Sequence, residues 1–449
     1  MENRSSRHPH DIPGMIVNRD FEGIQQWLLH TDTLDIAAEL CRLKPEKRAI
    51  AFRLLTKDRA LGVFEAFDPV HQQELLTALR EQNIRELLEG MEPDDRARLL
   101  DEMPATVAKR LLDGLSPKER KLTSILLGYP ENSTGRIMSP EFVDLRASMK
   151  IEEAMAKIRM RGKDAETIYS LPVTDDQLHL VGVVSLRDMV LADPNQTVSN
   201  IMCTQVYYAQ ADEDQEGPAR LIQEADLIAL PITDREKRLL GILTVDDAME
   251  VLETEDTEDI LRGGGLEPLG RPYLSASLLR LARTRVMWLI ILIFAAALTV
   301  NILKIFEAAL EAAITLSLFI PLLIDTGGNI GSQSATLIIR AMAVGEVRFT
   351  DFARVVLREV RVGAMLGLML GGVAYLPTMI LFGKSIAQVL SLAMFSISIV
   401  AAFAGSVLPM LAKRFGVDPA ITSAPIITTL VDSSGLVIYF LIAKSILKI

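Results

Sequence analysis

The sequence predicts a multi-domain membrane protein. An α-helical superhelical N domain, a tandem pair of α/β domains and an acidic connecting helix precede an all-α transmembrane domain of five helices. Three observations support this: a repeat of 24 residues marked by prolines, a second repeat of 59 residues, and long apolar runs confined to residues 270–449. A chain of 449 residues is also too long for one simple core.

Charge is divided as unevenly as hydropathy. Of the 58 acids and 47 Lys/Arg, residues 270–449 contain eight acids and 15 Lys/Arg, which leaves 50 acids and 32 Lys/Arg in residues 1–269. The first part therefore has a net charge of about −18 and the second about +7. The acidic excess argues against nucleic acid as a partner, because binding phosphates requires clustered Lys/Arg. It indicates a cation as the ligand.

The amino terminus and the cysteines exclude two further classes. Residues 1–20 form a polar, charged tail that we expect to be disordered, and the absence of an apolar segment there argues against a signal peptide. The amino terminus is therefore expected to stay in the cytosol. The two cysteines, Cys41 and Cys203, lie in different segments, so the sequence predicts neither a disulfide framework nor a thiolate metal site.

Residues 21–130 contain the first repeat, in which an apolar-x-x-apolar-x-Pro pattern recurs. The prolines are Pro45, Pro69, Pro93 and Pro117. A proline fits the first turn of a helix, where its missing N–H costs least. The pattern predicts short stacked helices, an array that is usually a docking module.

Residues 131–245 contain the second repeat. Residues 171–175 match 230–234, and 182–188 match 241–247. Each copy predicts strand, turn, strand and helix, with Ser or Thr before the helix. The pair resembles tandem CBS domains, with copies at 131–200 and 201–245. Ser185, Arg187 and Asp188 match positions that contact nucleotide in some CBS pairs, so ATP is a candidate ligand. Helix capping explains Ser185 and Asp188 equally well.

Residues 246–270 are predicted to form a connecting helix with eight carboxylates and one basic residue, Arg262, between Thr244 and Leu266. Like charges three and four residues apart destabilise a helix. Either this is the solvated face of a linker, or the carboxylates bind cations.

Residues 271–449 are predicted to cross the membrane five times, at about 286–306, 312–340, 355–382, 387–411 and 420–447. The arginines cluster before the first span and between the second and third. The positive-inside rule then places the amino terminus in the cytosol and the carboxyl terminus outside. Lys444 and Lys448 mildly contradict this orientation. The protein is expected to be a multi-pass protein of the cell (inner) membrane, in contact with lipid.

Asp432 is the strongest candidate for function, because it lies about twelve residues into the last span. A carboxylate at this depth costs at least ~2.5 kcal/mol unless it faces water or a cation. The alternative is a buried Asp satisfied by Thr428, Ser433 or a water molecule.

Residues 327–336 add glycines and polar side chains to the second span. Glycine permits exposed carbonyls, and such polar groups are tolerated at membrane depth only against protein or water. The predicted pore-lining residues are Gly328, Asn329, Gln333, Thr336 and Thr428. Packing of small residues is the alternative, and it is the preferred interpretation for Gly363, Gly367 and Gly371 in the third span.

Oxygen donors without His or Cys favour Mg²⁺ or Ca²⁺ over a soft transition metal. If the chain dimerises about the fifth span, two Asp432 carboxylates would face one hydrated ion and balance its charge.

Taken in order, these segments resemble the MgtE family of magnesium channels. The resemblance implies a homodimer that imports Mg²⁺ as its substrate and closes when Mg²⁺ binds its cytosolic part. It places the pore aspartate at Asp432; Ser332, where many members have Asn, is a departure. The metal ligands that it implies are Asp95, Asp214, Glu216, Asp226, Asp247, Glu250, Glu255, Glu258, Asp259 and Asp418.

Two other functions remain open at this point. The chain could transport another divalent cation, such as Co²⁺ or Ca²⁺, or it could be a CBS-containing membrane sensor without transport. An enzyme is not predicted, because the sequence has no nucleophile–base constellation and no phosphate-binding glycine loop.

Overall fold

The structure is a computed structural model that describes residues 12–18, 20–79, 81–101, 103–268, 277–419 and 424–448. The chain forms two compact units, Met1–Glu255 and Asp256–Ile449, which are described separately.

The first unit begins with an array of ten short helices. They are α1 Ile12–Val17, α2 Phe21–His30, α3 Thr33–Cys41, α4 Pro45–Phe52, α5 Lys57–Glu65, α6 Pro69–Ala78, α7 Glu81–Gly90, α8 Pro93–Asp101, α9 Ala105–Gly114 and α10 Pro117–Leu127. All four repeat prolines are the first residues of helices, as predicted. The expected tail is different: residues 1–11 lie outside the described residues, but α1 is ordered because Ile12 and Ile16 are buried in the array's core.

Two buried arginines hold this array together at equivalent places. Arg48 Nε donates to the carbonyl oxygen of Leu40 at 3.1 Å and Nη2 to that of Leu43 at 3.0 Å. Arg96, 48 residues later, donates from Nε to the carbonyl of Leu88 at 2.6 Å and from Nη2 to that of Met91. A buried charge is stable only when its donors are satisfied. The array is therefore two copies of a unit of 48 residues, each closed by an arginine.

The α/β part contains two sheets of the same design, confirming the predicted repeat. The elements are β1 Leu145–Arg146, α11 Ile151–Arg161, β2 Ser170–Thr174, β3 Leu180–Ser185, α12 Leu186–Leu191, β4 Ala209–Gln210, α13 Glu216–Glu224, β5 Ala229–Thr233 and β6 Leu239–Thr244. In each sheet the first strand pairs parallel with the second, which pairs antiparallel with the third.

The connecting helix is α14, Val245–Gly263, and it begins as part of the second sheet's packing. Ala248 and Val251 are buried against β5 and β6 residues such as Leu230 and Leu243. The helix ends at Gly263, and Gly265, two residues later, has a φ of +71°, the left-handed conformation that commonly follows a helix end. It is therefore shorter than the 246–270 expected from the sequence, and residues 269–276 lie outside the described residues.

The described residues of the second unit form five helices long and apolar enough to cross a membrane, as predicted. They are α15 Leu278–Ile305, α17 Ile320–Ala343, α18 Phe352–Phe382, α19 Lys384–Arg414 and α20 Ala424–Leu447, with the short α16, Glu307–Ala312, after the first. Short 3₁₀ helices, Ile314–Phe319 and Phe349–Asp351, lead directly into α17 and α18. α19 is the most buried and packs against α17, α18 and α20.

Glycines set the closest approaches in this bundle. A β-carbon on Gly363 would lie 2.6 Å from the carbonyl oxygen of Ser398, and one on Gly367 2.7 Å from Cα of Phe395. These distances are too short for any side chain, so the interpretation of this glycine series as helix packing is confirmed. Gly405 of α19 approaches α17 in the same way: its β-carbon would be 2.3 Å from the carbonyl oxygen of Gly331.

Candidate functional site

Asp432 lies at the ninth position of α20, ~12 Å along the helix. Its Oδ1 atom is buried and has no hydrogen-bond partner among the described residues. The Thr428 hydroxyl donates instead to the carbonyl of Pro425 at 2.9 Å, and Ser433 Oγ bonds Thr299 Oγ1 at 3.1 Å. The interpretation that Thr428 or Ser433 satisfies this carboxylate is therefore wrong. An intramembrane carboxylate oxygen without a partner favours a cation or water.

Gly328 brings α17 close to this carboxylate. A β-carbon at Gly328 would lie 3.1 Å from Thr428 Cγ2 and 3.7 Å from Asp432 Oδ1. The absence of a side chain thus leaves space beside the acid. The structure brings together Gly328, Thr428 and Asp432, three of the residues predicted to line a pore.

The other three predicted pore residues follow one face of α17. Asn329, Gln333 and Thr336 are all exposed in the single chain, and their spacing of four and three residues places them on one side of a helix. Polar side chains facing lipid are costly, so this side is expected to face protein or water.

The backbone of this stretch differs from the expectation. The glycine-rich residues 327–336 were expected to expose carbonyl groups, but α17 is a continuous helix from Ile320 to Ala343. Gly327 and Gly331 are instead buried against α19 and α20, where β-carbons would lie 2.7 Å from Ile397 and 2.9 Å from Ile427. Helical hydrogen bonds satisfy the carbonyls, so here the glycines serve packing and the side chains supply the polar groups.

Two of the predicted ligands near α14 meet at an arginine. Arg262 Nη1 lies 2.6 Å from Asp418 Oδ2, and its Nη2 lies 2.8 Å from Glu258 Oε2. Asp259 follows Glu258 directly in α14. In this structure the positively charged guanidinium of Arg262 bridges Glu258 and Asp418. The sequence did not indicate this bridge.

An acidic cavity of about 420 Å³ lies within the first unit. It brings together three of the predicted ligands, Asp95, Asp247 and Glu250. Three further acids that the sequence did not single out also line it: Asp94, Asp101 and Glu131. Arg98 pairs with Asp95 at 2.7 Å and also with Glu250. The excess of carboxylates over cations at this cavity leaves net negative charge.

Next to this cavity, Glu92, Asp94 and Glu166 each direct a carboxylate oxygen to one place, and these atoms all lie within 4.8 Å of one another. Asp94 is only 6% exposed, and its Oδ1 has no hydrogen-bond partner among the described residues. Glu92 and Glu166 come from the helical array and the first sheet domain, so only the fold reveals their proximity.

The pKa values of these acids are raised. Burial, followed by repulsion from Asp94, raises the pKa of Asp247 to about 8. Burial, followed by repulsion from Glu92, raises the pKa of Glu166 to about 8. Burial and repulsion from neighbouring carboxylates also raise the pKa of Asp94 and Asp95. The free energy of ionising these groups therefore falls when a cation binds between them.

The predicted ligands of the second sheet domain do not come together within one chain. Asp214 and Glu216 lie at the start of α13, where Asp214 Oδ1 accepts the N–H of Glu216 at 2.9 Å. Asp226 lies beyond the other end of this nine-residue helix, ~13 Å away. Glu255 is close to the first group, since its Oε1 accepts from Gln215 at 3.1 Å.

Two of the three candidate nucleotide residues, Ser185 and Asp188, form a helix cap. Ser185 Oγ accepts the N–H of Asp188 at 3.0 Å and donates to its Oδ2 at 2.7 Å. Arg187 and Asp188 are exposed. Thr244 and Asp247 form the equivalent pair 59 residues later, so capping alone accounts for the repeated pattern.

One cluster of possible metal ligands was not foreseen from the sequence. Cys41, Asp68 and His71 each present a possible metal-ligating atom, and the three atoms lie within 4.8 Å of one another. No thiolate site was predicted, because the two cysteines lie in different segments; the other two donors follow Cys41 by 27 and 30 residues, a spacing that matches no common ligand pattern.

Known proteins resemble this chain over almost its whole length. Residues 320–442 match the MgtE family of divalent cation transporters, residues 31–132 the MgtE intracellular N domain, and residues 135–195 and 198–254 CBS domains. The chain is 40% identical over 448 residues to the magnesium transporter MgtE of Thermus thermophilus, covering 96% of both chains. The chain belongs to the MgtE family.

Other MgtE proteins support this conclusion. The magnesium transporter MgtE of Bacillus subtilis is 32% identical over 433 residues, covering 95% of this chain and 94% of its own length. The solved cytosolic domain of the Mg²⁺ channel MgtE in complex with ATP is 37% identical, with a TM-score of 0.51, and covers 54% of this chain and 98% of its own. The predicted MgtE fold class is confirmed, and MgtE proteins are transporters rather than enzymes.

The second CBS match of this MgtE-family chain ends at residue 254, whereas the sequence analysis ended that domain at 245. The buried start of α14 explains the difference, because Ala248 and Val251 belong to the core of the second sheet domain. We therefore place the end of the second CBS domain near Glu255.

Proposed function

We propose that this protein is a Mg²⁺-selective channel of the cell membrane that imports Mg²⁺ through a homodimeric pore and is closed by Mg²⁺ bound to its cytosolic part. Mg²⁺ is then both substrate and regulatory ligand, and residues 1–255 lie in the cytoplasm. The relatives named magnesium transporters support the choice of ion.

The unpartnered Oδ1 of Asp432 is the observation that carries the pore assignment. Mg²⁺ dehydrates reluctantly and is usually held by one or two carboxylates through several waters. In a dimer, two Asp432 side chains would neutralise one hydrated ion, while the exposed polar face of α17 would line its path. This arrangement also accounts for polar side chains on an otherwise apolar helix.

The acidic cavity of the first unit supports the regulatory part of the proposal. Without Mg²⁺, burial and mutual repulsion oppose the ionisation of Asp94, Asp95 and Asp247. Bound ions reverse this repulsion and stabilise the packing of α8 against α14. A ligand that binds one conformation more tightly shifts the population toward it, so Mg²⁺ would favour the closed channel. ATP at Ser185, Arg187 and Asp188 is a further proposal, supported by the related MgtE cytosolic domain that was solved in complex with ATP.

The runner-up is a transporter for another divalent cation such as Co²⁺ or Ca²⁺. Liposomes that contain the full chain and a Mg²⁺ indicator dye separate the two. We expect Mg²⁺ uptake that equal concentrations of Ca²⁺ do not suppress. Uptake of Ca²⁺ or Co²⁺ in preference to Mg²⁺ would establish the runner-up, and absence of any cation uptake would favour a sensor without transport.

Mg²⁺ is expected to protect residues 1–255 of the full chain from limited proteolysis, because binding stabilises the folded unit by mass action. NaCl at equal ionic strength is the control, since it screens charge without filling specific sites. Equal protection by both salts would exclude specific Mg²⁺ sites in this unit.

This protection should also depend on pH, with a defined sign. Asp247 and Glu166 have pKa values of about 8 in the folded unit, far above those of an unfolded chain. The stability that their protonated forms contribute is fully present below the pKa of an unfolded carboxyl, about 4, and is lost as the pH rises from there to about 8. Without Mg²⁺, cleavage should therefore be faster at about pH 9 than at about pH 6, and Mg²⁺ should reduce the difference. A Mg²⁺-free unit that is most resistant at the higher pH would contradict this electrostatic account.

A further inference from the structure

We propose that Cys41, Asp68 and His71 form a binding site for a transition-metal ion of the Zn²⁺ class, separate from every Mg²⁺ site described above. Their candidate ligand atoms lie within 4.8 Å of one another, and all three residues are half-buried. In a tetrahedral zinc site, neighbouring sulfur and nitrogen ligands are about 3.5 Å apart. Small side-chain rotations would therefore close the site around an ion.

The chemistry of the donors determines the class of ion. A thiolate and an imidazole are ligands that Zn²⁺ and Co²⁺ favour, whereas Mg²⁺ binds oxygen. Three protein ligands leave a fourth position for water. This donor set therefore differs in kind from the all-carboxylate cluster of Glu92, Asp94 and Glu166.

The fold holds the three residues rigidly. Cys41 is the last residue of α3, while Asp68 and His71 are at the start of α6. Arg48 joins these helices, because its guanidinium donates to the carbonyl of Cys41 at 3.3 Å and pairs with Glu74 of α6 at 2.8 Å. The ligands are thus held near their binding positions before an ion arrives.

The internal repeat shows that the fold does not require these residue types. In the second copy, 48 residues later, Glu89, Ser116 and Glu119 stand at the positions of Cys41, Asp68 and His71. Ser116 caps α10 by accepting the N–H of Glu119 at 3.3 Å, as Asp68 caps α6 by accepting that of His71 at 3.1 Å. The fold of the repeat therefore tolerates other side chains at these positions. Only the first copy has a thiol and an imidazole there.

Co²⁺ binding to the full chain in detergent tests the proposal, because a cobalt–thiolate bond gives a charge-transfer absorption in the near ultraviolet. Excess Mg²⁺ is present throughout to occupy carboxylate sites. We expect one such band per chain, displaced by one equivalent of Zn²⁺. Cys41→Ser should abolish it, and Cys203→Ser, which removes the exposed second thiol, should leave it unchanged.

Asp68→Ser and His71→Gln extend the test to the other ligands. Serine preserves the helix cap, as Ser116 does, so a folding defect is not expected from Asp68→Ser. Both variants should bind Co²⁺ at least ~10-fold more weakly while circular dichroism stays that of the wild type. No band in the wild type, or a band lost in Cys203→Ser and kept in Cys41→Ser, would overturn the site. Unchanged Co²⁺ affinity in both Asp68→Ser and His71→Gln would equally overturn it.

Discussion

Asp432→Ala should reduce Mg²⁺ flux into liposomes by at least about a hundredfold. The carboxylate is the charged group next to Gly328 and Thr428, and its Oδ1 has no partner among the described residues. An ion that sheds water inside a membrane needs nearby negative charge to replace its hydration. Without this charge, the free-energy barrier to Mg²⁺ permeation rises, and flux falls.

Folding need not suffer from this change, because the substitution removes a costly buried charge rather than a stabilising contact. Asp432→Asn, which keeps the size of the side chain, should lose flux similarly. Glu311→Ala is the matched control, since it removes an exposed acid of the same unit that follows the first span. Near-normal Mg²⁺-selective flux through a correctly folded Asp432→Ala variant would refute the pore assignment.

Asp247→Asn should raise the Mg²⁺ concentration that half-closes the channel by ~10-fold or more, with flux through the open channel unchanged. Asp247 lines the acidic cavity with Asp94 and Asp95, and burial together with these neighbours raises its pKa to about 8. Neutralising Asp247 removes one Mg²⁺ ligand. It also removes much of the repulsion between carboxylates that a bound Mg²⁺ ion relieves. The difference in Mg²⁺ affinity between closed and open states therefore shrinks.

Asp188→Asn provides a control for Asp247→Asn within the same chain. Asp188 makes the same capping contact with Ser185 that Asp247 makes with Thr244, but it is exposed and does not line the cavity. In nucleotide-free patches, Asp188→Asn should close at the wild-type Mg²⁺ concentration. If Asp247→Asn also closes there, the acidic cavity is not the sensor.

The sequence predicted what is local or periodic. Prolines at 24-residue intervals marked four helix starts, and the 59-residue repeat predicted two sheets of one design. Asp432 could be identified because a carboxylate in an apolar membrane segment has a high free-energy cost, whichever residues surround it. Asp95, Asp247 and Glu250 were named as metal ligands from the family resemblance rather than from any spacing in this chain, and the structure places all three at one cavity.

What the sequence missed depends on contacts between distant segments. Glu166 joins Glu92 and Asp94 only after a helical array packs against a sheet domain, and Cys41 meets His71 across two helices. The glycines of α17 were assigned exposed carbonyls, because a glycine pattern does not distinguish a broken helix from a closely packed one. Arg262 was recognised as the sole basic residue of its segment, but its contact with Asp418 could not be read from the chain.

The contact between Gly405 and Gly331 constrains how the transmembrane bundle can move. With a β-carbon at 405 only 2.3 Å from the facing carbonyl oxygen, α17 and α19 touch backbone to backbone, and there is no layer of side chains on which one could slide. Sliding of one helix along the other is restricted by this close backbone contact, so the two are expected to move together as one rigid pair. If the proposed channel opens and closes, the motion is then expected to come from tilting this helix pair as a whole, or from the elements around it, rather than from sliding along the contact between α17 and α19.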